Sequence, residues 1–264
     1  MFETIDYRVE SGVAVLCLNR PDRSNAINQR MHMELPQAWE HFRTDPSAIV
    51  AIVTGSGDKA FCTGADLRDL PVLDDQGPAA DAIRWTSLQN RVWKPVICAV
   101  NGLTVGGGLH FIADSDIVLA SRSAEFCDSH VSVGLVSGLE PISLARRMPM
   151  EAVLRLALVG SDERMTAKQA LRLGMIGEVV EPDALMPRAF AIARSITKNS
   201  PSAMARTKRA IWRSLELPLH DALERAWEDI VRHNREADFA EGCAAFAERR
   251  SPIWQPWTGE DADA

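Results

Sequence analysis

Little in this chain of 264 residues is rare enough to stand out, so its absences are informative first. Its five cysteines (Cys17, Cys62, Cys98, Cys127 and Cys243) are scattered, and no two share a CxxC spacing. That spacing argues against a zinc site or a redox pair, and we expect no metal and reduced thiols. Basic residues are outnumbered, and the formal net charge is −7. A general nucleic-acid binder needs a basic surface for phosphate contacts, so that class is disfavoured. No apolar run approaches the ~20 residues of a membrane span, and the opening MFETIDYRVE has neither a basic start nor an apolar stretch to follow it. The expected setting is therefore cytoplasmic. GxxxxGK[ST], GxGxxG and HExxH are all missing, and Ser137 in GLVSG lacks the glycine that a nucleophile elbow places two residues before its serine. The six histidines, at 32, 41, 110, 130, 220 and 233, include no pair at metal-ligand spacing on one helical turn.

What is present is an ordinary globular mix, 46% hydrophobic and 25% charged, enough for a full-sized core. The first two thirds of the chain, within a core domain read over residues 1–200, alternate short β-like runs with helical patterns. Val13–Leu18, 49–54, Val96–Val100 and 116–120 read as strands, the second and third as buried ones. Residues 28–43, 78–93 and the stretch ending near Ala113 read as helices, with Pro36 inside the first and Pro78 in the first turn of the second. Alternation of this kind predicts an α/β fold with βαβ units and buried, mainly parallel sheets. After about Pro141 helical patterns dominate: Met150–Val159, 166–173, 183–198, 202–215 and 219–248. Ser161, Thr166 and Ser202 are expected N-caps. Residues 201–264 form a helical C-terminal extension that packs on its own subunit or on a neighbour.

Two glycine-containing turns follow strands: Ala60-Phe61-Cys62-Thr63-Gly64-Ala65-Asp66-Leu67, and Gly106-Gly107-Gly108-Leu109-His110. Each is expected to lead into a helix start, where backbone N–H groups face outward and attract negative charge. Two such turns aimed at one point would hold a developing oxyanion. The plainer alternative is that the glycines only permit tight helix–strand packing.

These pieces, with Leu18-Asn19-Arg20-Pro21, Asn25-Ala26-Ile27-Asn28, Lys94-Pro95 before Val96, Ala113-Asp114-Ser115-Asp116, the stretch 167–176 and the stretch 246–252, resemble the enoyl-CoA hydratase/isomerase family, the crotonase superfamily. The resemblance runs in order from about residue 5 to residue 257. It implies a crotonase-like fold of stacked ββα turns with a helical C-terminal region, and a homotrimer or homohexamer. It implies an acyl-CoA substrate, with coenzyme A entering only as part of that substrate and no separate cofactor. By position in the motif, the thioester oxygen would take the N–H groups of Ala65 and Gly107. Ala26, Cys62, Gly64, Asp66, Leu67, Gly106 and Gly108 would line the site, with the adenine end along 62–67. Arg23 is either a phosphate contact or a solvated loop charge, and Asp66 either a ligand contact or a helix N-cap. Trp85, Leu88, Val92 and Trp93 line the acyl tunnel or pack the core.

Two glutamates flank the thioester in the family's hydratases. Here their places fall on His110 and His130. Three readings stay open. The imidazoles could serve hydratase or isomerase chemistry. Glu140, ten residues beyond His130, could reach back and orient it, giving a His–carboxylate unit suited to retro-Claisen hydrolysis of a carbon–carbon bond beside a ketone; Glu140 could instead pair with Arg146 or Arg147. Or the protein binds acyl-CoA without turnover.

Overall fold

The computed structural model describes residues 2–73 and 82–258. Two sheets run side by side. The larger has the order β1 (Ile5–Glu10), β2 (Val13–Leu18), β3 (Val50–Gly55), β5 (Val96–Val100), β7 (Ile117–Ser121), β10 (Glu178–Val180). The smaller holds β4 (Ala60–Cys62), β6 (Leu103–Val105), β8 (Glu125–Cys127) and β9 (Met165–Thr166). Among the described residues, only the end pairs, β1 with β2 and β8 with β9, are antiparallel. Neighbours β2–β3, β3–β5, β5–β7 and β7–β10 are parallel, as are β4–β6 and β6–β8.

The chain therefore repeats one step: a long strand, a short strand in the second sheet, a helical segment, and return. Alternate residues of the long strands enter two cores. Val50, Ile52, Ile97, Ala99 and Leu119 pack against Leu185, Ala189 and Ala193 of α6 (Leu185–Ile196). Ala51, Val53, Cys98 and Val100 join the larger core with Leu35, Trp39 and Phe42 of α1 (Gln29–Thr44). Burial on both faces is why these strands read as unbroken apolar runs. α1 is capped by the Asn28 side chain and continues through Pro36.

Further along lie α2 (Leu109–Ala113), α3 (Leu139–Leu144), α4 (Met150–Val159), α5 (Ala167–Arg172), α7 (Pro201–Ser214), α8 (Leu219–His233) and α9 (Ala237–Glu248). Thr166 caps α5 in a full capping box with Gln169, as expected. The other two expected caps are corrected. Ser161 sits in a 3-10 turn (Gly160–Asp162), its N–H bonded to Ser132. Ser200 rather than Ser202 caps α7, because Pro201 takes the first helical position and Ser200 Oγ accepts from Ala203 N at 3.2 Å. The expected helix over 219–248 is two helices, broken at Asn234-Arg235-Glu236 with Glu236 extended.

The largest correction is the helix expected over 78–93. Residues 78–81 lie outside the described residues, and from Ile83 to Trp93 the chain runs in turns. Side chains compete there for the backbone bonds a helix needs. Gln89 Oε1 accepts from the N–H groups of Trp85 (2.9 Å) and Thr86 (3.1 Å), and Asn90 Nδ2 donates to Arg84 O and Thr86 O. Among the described residues, no helix is long and apolar enough to cross a membrane.

Candidate active site

The two glycine turns meet. Ile27 bridges Ala65: Ile27 N donates to Gly64 O (2.7 Å) and Asp66 N to Ile27 O (2.8 Å). In a parallel bridge that pattern turns the N–H of the middle residue, Ala65, to the opposite side. Asn25, buried with φ 54°, fixes the loop that supplies Ile27 by bonding Arg20 N, Ser56 O and Ala60 O. Gly64 has φ +77°, and a Cβ on it would stand 2.8 Å from Gly107 N. A Cβ on Gly107 would meet Trp85 Cζ3 at 2.8 Å and Gly64 Cα at 3.4 Å. Gly106–Gly108 form a 3-10 turn after β6, so its first N–H groups have no partner within the turn. Gly64 is thus demanded by backbone-on-backbone approach and Gly107 by the indole of Trp85, and together they bring the Ala65 and Gly107 segments side by side.

The first turn does not open a helix. Asp66 is not an N-cap: its carboxylate pairs with Arg20 Nη2 at 3.0 Å and accepts from Arg68 N. Burial pushes its pKa up, but the Arg68 N–H and the Arg20 guanidinium bring it below the ordinary value. Cys62 is fully buried, and burial pushes its thiol up to about 12. Its backbone and Cβ pack under Gly108. Ala26 is buried, while Arg23 and Leu67 are exposed beside the loop.

His110, Asp128, His130 and Glu140 gather next to these turns. His110 enters on α2, directly after the glycines, and is 2% exposed. His130 follows β8, and its ring lies against Gly106, where a Cβ would be 3.2 Å from Cε1. Asp128, fully buried, accepts from His130 Nδ1 at 2.7 Å and from His130 N at 3.1 Å, and it also accepts from the Ser137 hydroxyl. Glu140, buried in the first turn of α3, places Oε1 3.2 Å from His110 Nε2 and 3.8 Å from His130 Nε2. The His110 contact lies off the line of a well-formed hydrogen bond.

Glu140 therefore reaches back to the site, and it pairs with neither Arg146, which bonds Leu215 O, nor Arg147, which bonds Ser115 O. It does not orient His130 in the way expected from sequence. Asp128 does, from the other ring nitrogen. Asp128 was hidden in Cys127-Asp128-Ser129-His130, where an aspartate two residues ahead of a backbone N–H forms an Asx turn and reaches the following ring. Electrostatics follow the geometry. The Asp128 hydrogen bond, with Glu140 nearby, holds the His130 imidazole above its ordinary value against burial. Burial pushes Asp128 up, but hydrogen bonds from His130 and Ser137 bring it below the usual carboxylate range. Burial acts on Glu140 in the same way, and the contact with His110 and the charge of His130 outweigh it.

A cavity of about 750 Å³ opens from His110 and Asp114 and is lined by Leu88, Trp93, Leu139 and Ile142. Of the residues read as tunnel or core, Leu88 and Trp93 thus line the cavity and Val92 is core. Trp85 walls the site, held between His32 Nδ1, which accepts from its Nε1 at 2.9 Å, and the edge of the His110 ring. Among the described residues, no three His, Cys, Asp or Glu side chains are grouped to hold a metal ion.

Residues 8–256 match the family model for enoyl-CoA hydratase/isomerase. The chain is 33% identical to (E)-benzylidenesuccinyl-CoA hydratase of Thauera aromatica, covering 95% of this chain and 98% of that one. It is 36% identical to 1,2-epoxyphenylacetyl-CoA isomerase of Escherichia coli, over 96% and 98%. The crystal structure of an enoyl-CoA hydratase/isomerase from Mycobacterium paratuberculosis superposes with a TM-score of 0.89 at 41% identity, over 97% and 99% of the two chains. The chain belongs to the enoyl-CoA hydratase/isomerase family and has the crotonase fold.

Proposed function

We propose that this enzyme activates water at His130, with Asp128 behind it, against an acyl-CoA thioester whose carbonyl is held by the N–H groups of Ala65 and Gly107. The observation that carries this reading is the 2.7 Å bond from His130 Nδ1 to a buried aspartate, which leaves Nε2 bare beside the glycine turns. An imidazole oriented by a carboxylate in this way is a water-activating unit.

The reaction that best uses the whole site is hydrolytic cleavage of a β-ketoacyl thioester. Water attacks the β-carbonyl carbon and gives its proton to His130 Nε2. The tetrahedral adduct then breaks its Cα–Cβ bond. The electron pair moves into the thioester enolate, whose oxygen sits at Ala65 and Gly107, where positive dipoles are worth most. His130 returns the proton to Cα, and a carboxylic acid and a shortened acyl-CoA leave. Two imidazoles gathered at Glu140 suit two carbonyls: one acts as base, and the other donates to the β-oxygen.

Hydration of an enoyl-CoA is the second reading. It is favoured by Glu140, a carboxylate within 3.8 Å of both rings, and by the names of several relatives. A panel of crotonyl-CoA, longer enoyl-CoAs, acetoacetyl-CoA, longer β-ketoacyl-CoAs and a cyclic β-diketone, read by mass spectrometry, separates the two. Cleaved acid from the ketones supports the first, and a mass gain of one water from the enoyl thioesters supports the second. Binding without turnover of any member would leave an acyl-CoA carrier and overturn both.

A further inference from the structure

We propose that Gln89 is a positioning residue that fixes the tautomer of His110, putting its proton on Nε2 and keeping Nδ1 as an acceptor. Gln89 Oε1 takes the N–H groups of both Trp85 (2.9 Å) and Thr86 (3.1 Å). Two backbone donors can be met only by the amide oxygen, so the side chain has one orientation. Its nitrogen then faces His110 Nδ1 at 3.2 Å. An amide NH₂ offers only protons, so Nδ1 must present its lone pair. The remaining ring proton belongs on Nε2, 3.2 Å from Glu140 Oε1.

The support beneath Gln89 is itself braced. Trp39 Nε1 donates to Trp85 O at 2.7 Å, and Thr86 Oγ1 donates to the buried Asp114 carboxylate at 2.7 Å while accepting from Gln89 N. Trp85 cannot slide, because its indole is tied to His32 and its ring wall abuts Gly107. The backbone donors that orient Gln89 are therefore held where they are.

The two histidines consequently present opposite faces. His130 carries its proton on Nδ1 toward Asp128 and bares Nε2. His110 bares Nδ1 toward Gln89 and carries its proton on Nε2. One ring is set as acceptor and the other as donor, by two different neighbours, before any ligand enters. This division deepens the proposed water-activating site by assigning the donor, and its test needs no turnover, so it fails or holds apart from the reaction.

The test is long-range proton–nitrogen correlation NMR on full-length protein with ring-¹⁵N histidine, with the His110 signals identified by their loss in His110→Gln. Wild type is expected to show His110 Nδ1 at the unprotonated position and Nε2 at the protonated one. Gln89→Glu keeps oxygen acceptors for Trp85 and Thr86 but turns the group facing His110 from donor to acceptor. In that variant Nδ1 is expected to shift to the protonated position, whereas a merely structural role would leave the ring signals where they are. A wild-type proton on Nδ1, or a Gln89→Glu protein with unchanged His110 signals, would overturn the proposal. The wild-type spectrum alone decides it if the variant does not fold.

Discussion

At the scale of single residues, the proposed reaction depends on His130 and its aspartate. His130→Ala is expected to lower kcat by about 100-fold or more, the contribution typical of a positioned base, with acyl-CoA binding retained. Asp128→Asn should also lower kcat, and it makes a signed prediction in pH. The Asp128 hydrogen bond raises the His130 value above its ordinary one, so the base form is lost as pH falls through that raised value. Removing the aspartate's charge moves the rising limb of kcat/KM to lower pH while the plateau drops. A profile whose limb stays in place in Asp128→Asn would disconnect the pair from catalysis. His110 and His130 could be singled out because the resemblance places the family's two glutamates there, and Glu140 because it follows His130 by ten residues in a glycine-rich stretch before a helix. Asp128 was missed because its short Asx pattern also occurs in ordinary turns. Gln89 gave no signal at all, since its role depends on two backbone N–H groups that the sequence does not orient.

At the scale of elements, the two glycine turns behave as one unit because their backbones touch. Gly107→Ala would set a Cβ 2.8 Å from Trp85 Cζ3 and force the indole and the turn apart. We expect a folded protein, by circular dichroism, with kcat/KM reduced at least about tenfold, the factor for about 1.4 kcal/mol of lost transition-state stabilisation. Turnover unchanged in Gly107→Ala would separate this turn from the thioester. Thr166→Ala removes the capping box of α5 and should cost about 1 kcal/mol in urea unfolding. The strands β2, β3, β5 and β7 could be read from apolar runs, because burial on both faces leaves little that is polar in them, Thr54 and Ser121 near the ends of β3 and β7 being the exceptions. The helix expected at 78–93 failed over its described part because Gln89 and Asn90 spend their amides on the backbone, a competition that periodicity does not register. The short strands β4, β6 and β8 went unread for a related reason: three residues are too few to show an alternation.

At the scale of the whole molecule, stacking of ββα turns fixes where the site can be. Each turn ends beside its neighbour, so Gly64, Gly107 and His130, from successive turns, converge although they are far apart in sequence. The stacking could be expected from the resemblance, while the convergence needed coordinates. The surface carries a further expectation. Leu219, Leu223, Trp227 and Ile230 form one exposed stripe along α8, and Phe246 on α9 is 88% exposed. A helix with an uncovered apolar stripe of this kind marks an association face. We expect sedimentation to give three or six times the chain mass, and Trp227→Glu to shift it toward smaller species. A chain that stays monomeric at tens of micromolar would contradict that expectation.

If His130, backed by Asp128, drives water into an acyl-CoA substrate as proposed, isotope transfer reports it. The protein is incubated in H₂¹⁸O with acetoacetyl-CoA, longer β-ketoacyl-CoAs and crotonyl-CoA, and the products are weighed. The account predicts that one ¹⁸O enters the released acid in wild type and that incorporation is lost in His130→Ala while binding persists. Equal incorporation by wild type and His130→Ala, or products without ¹⁸O, would contradict it.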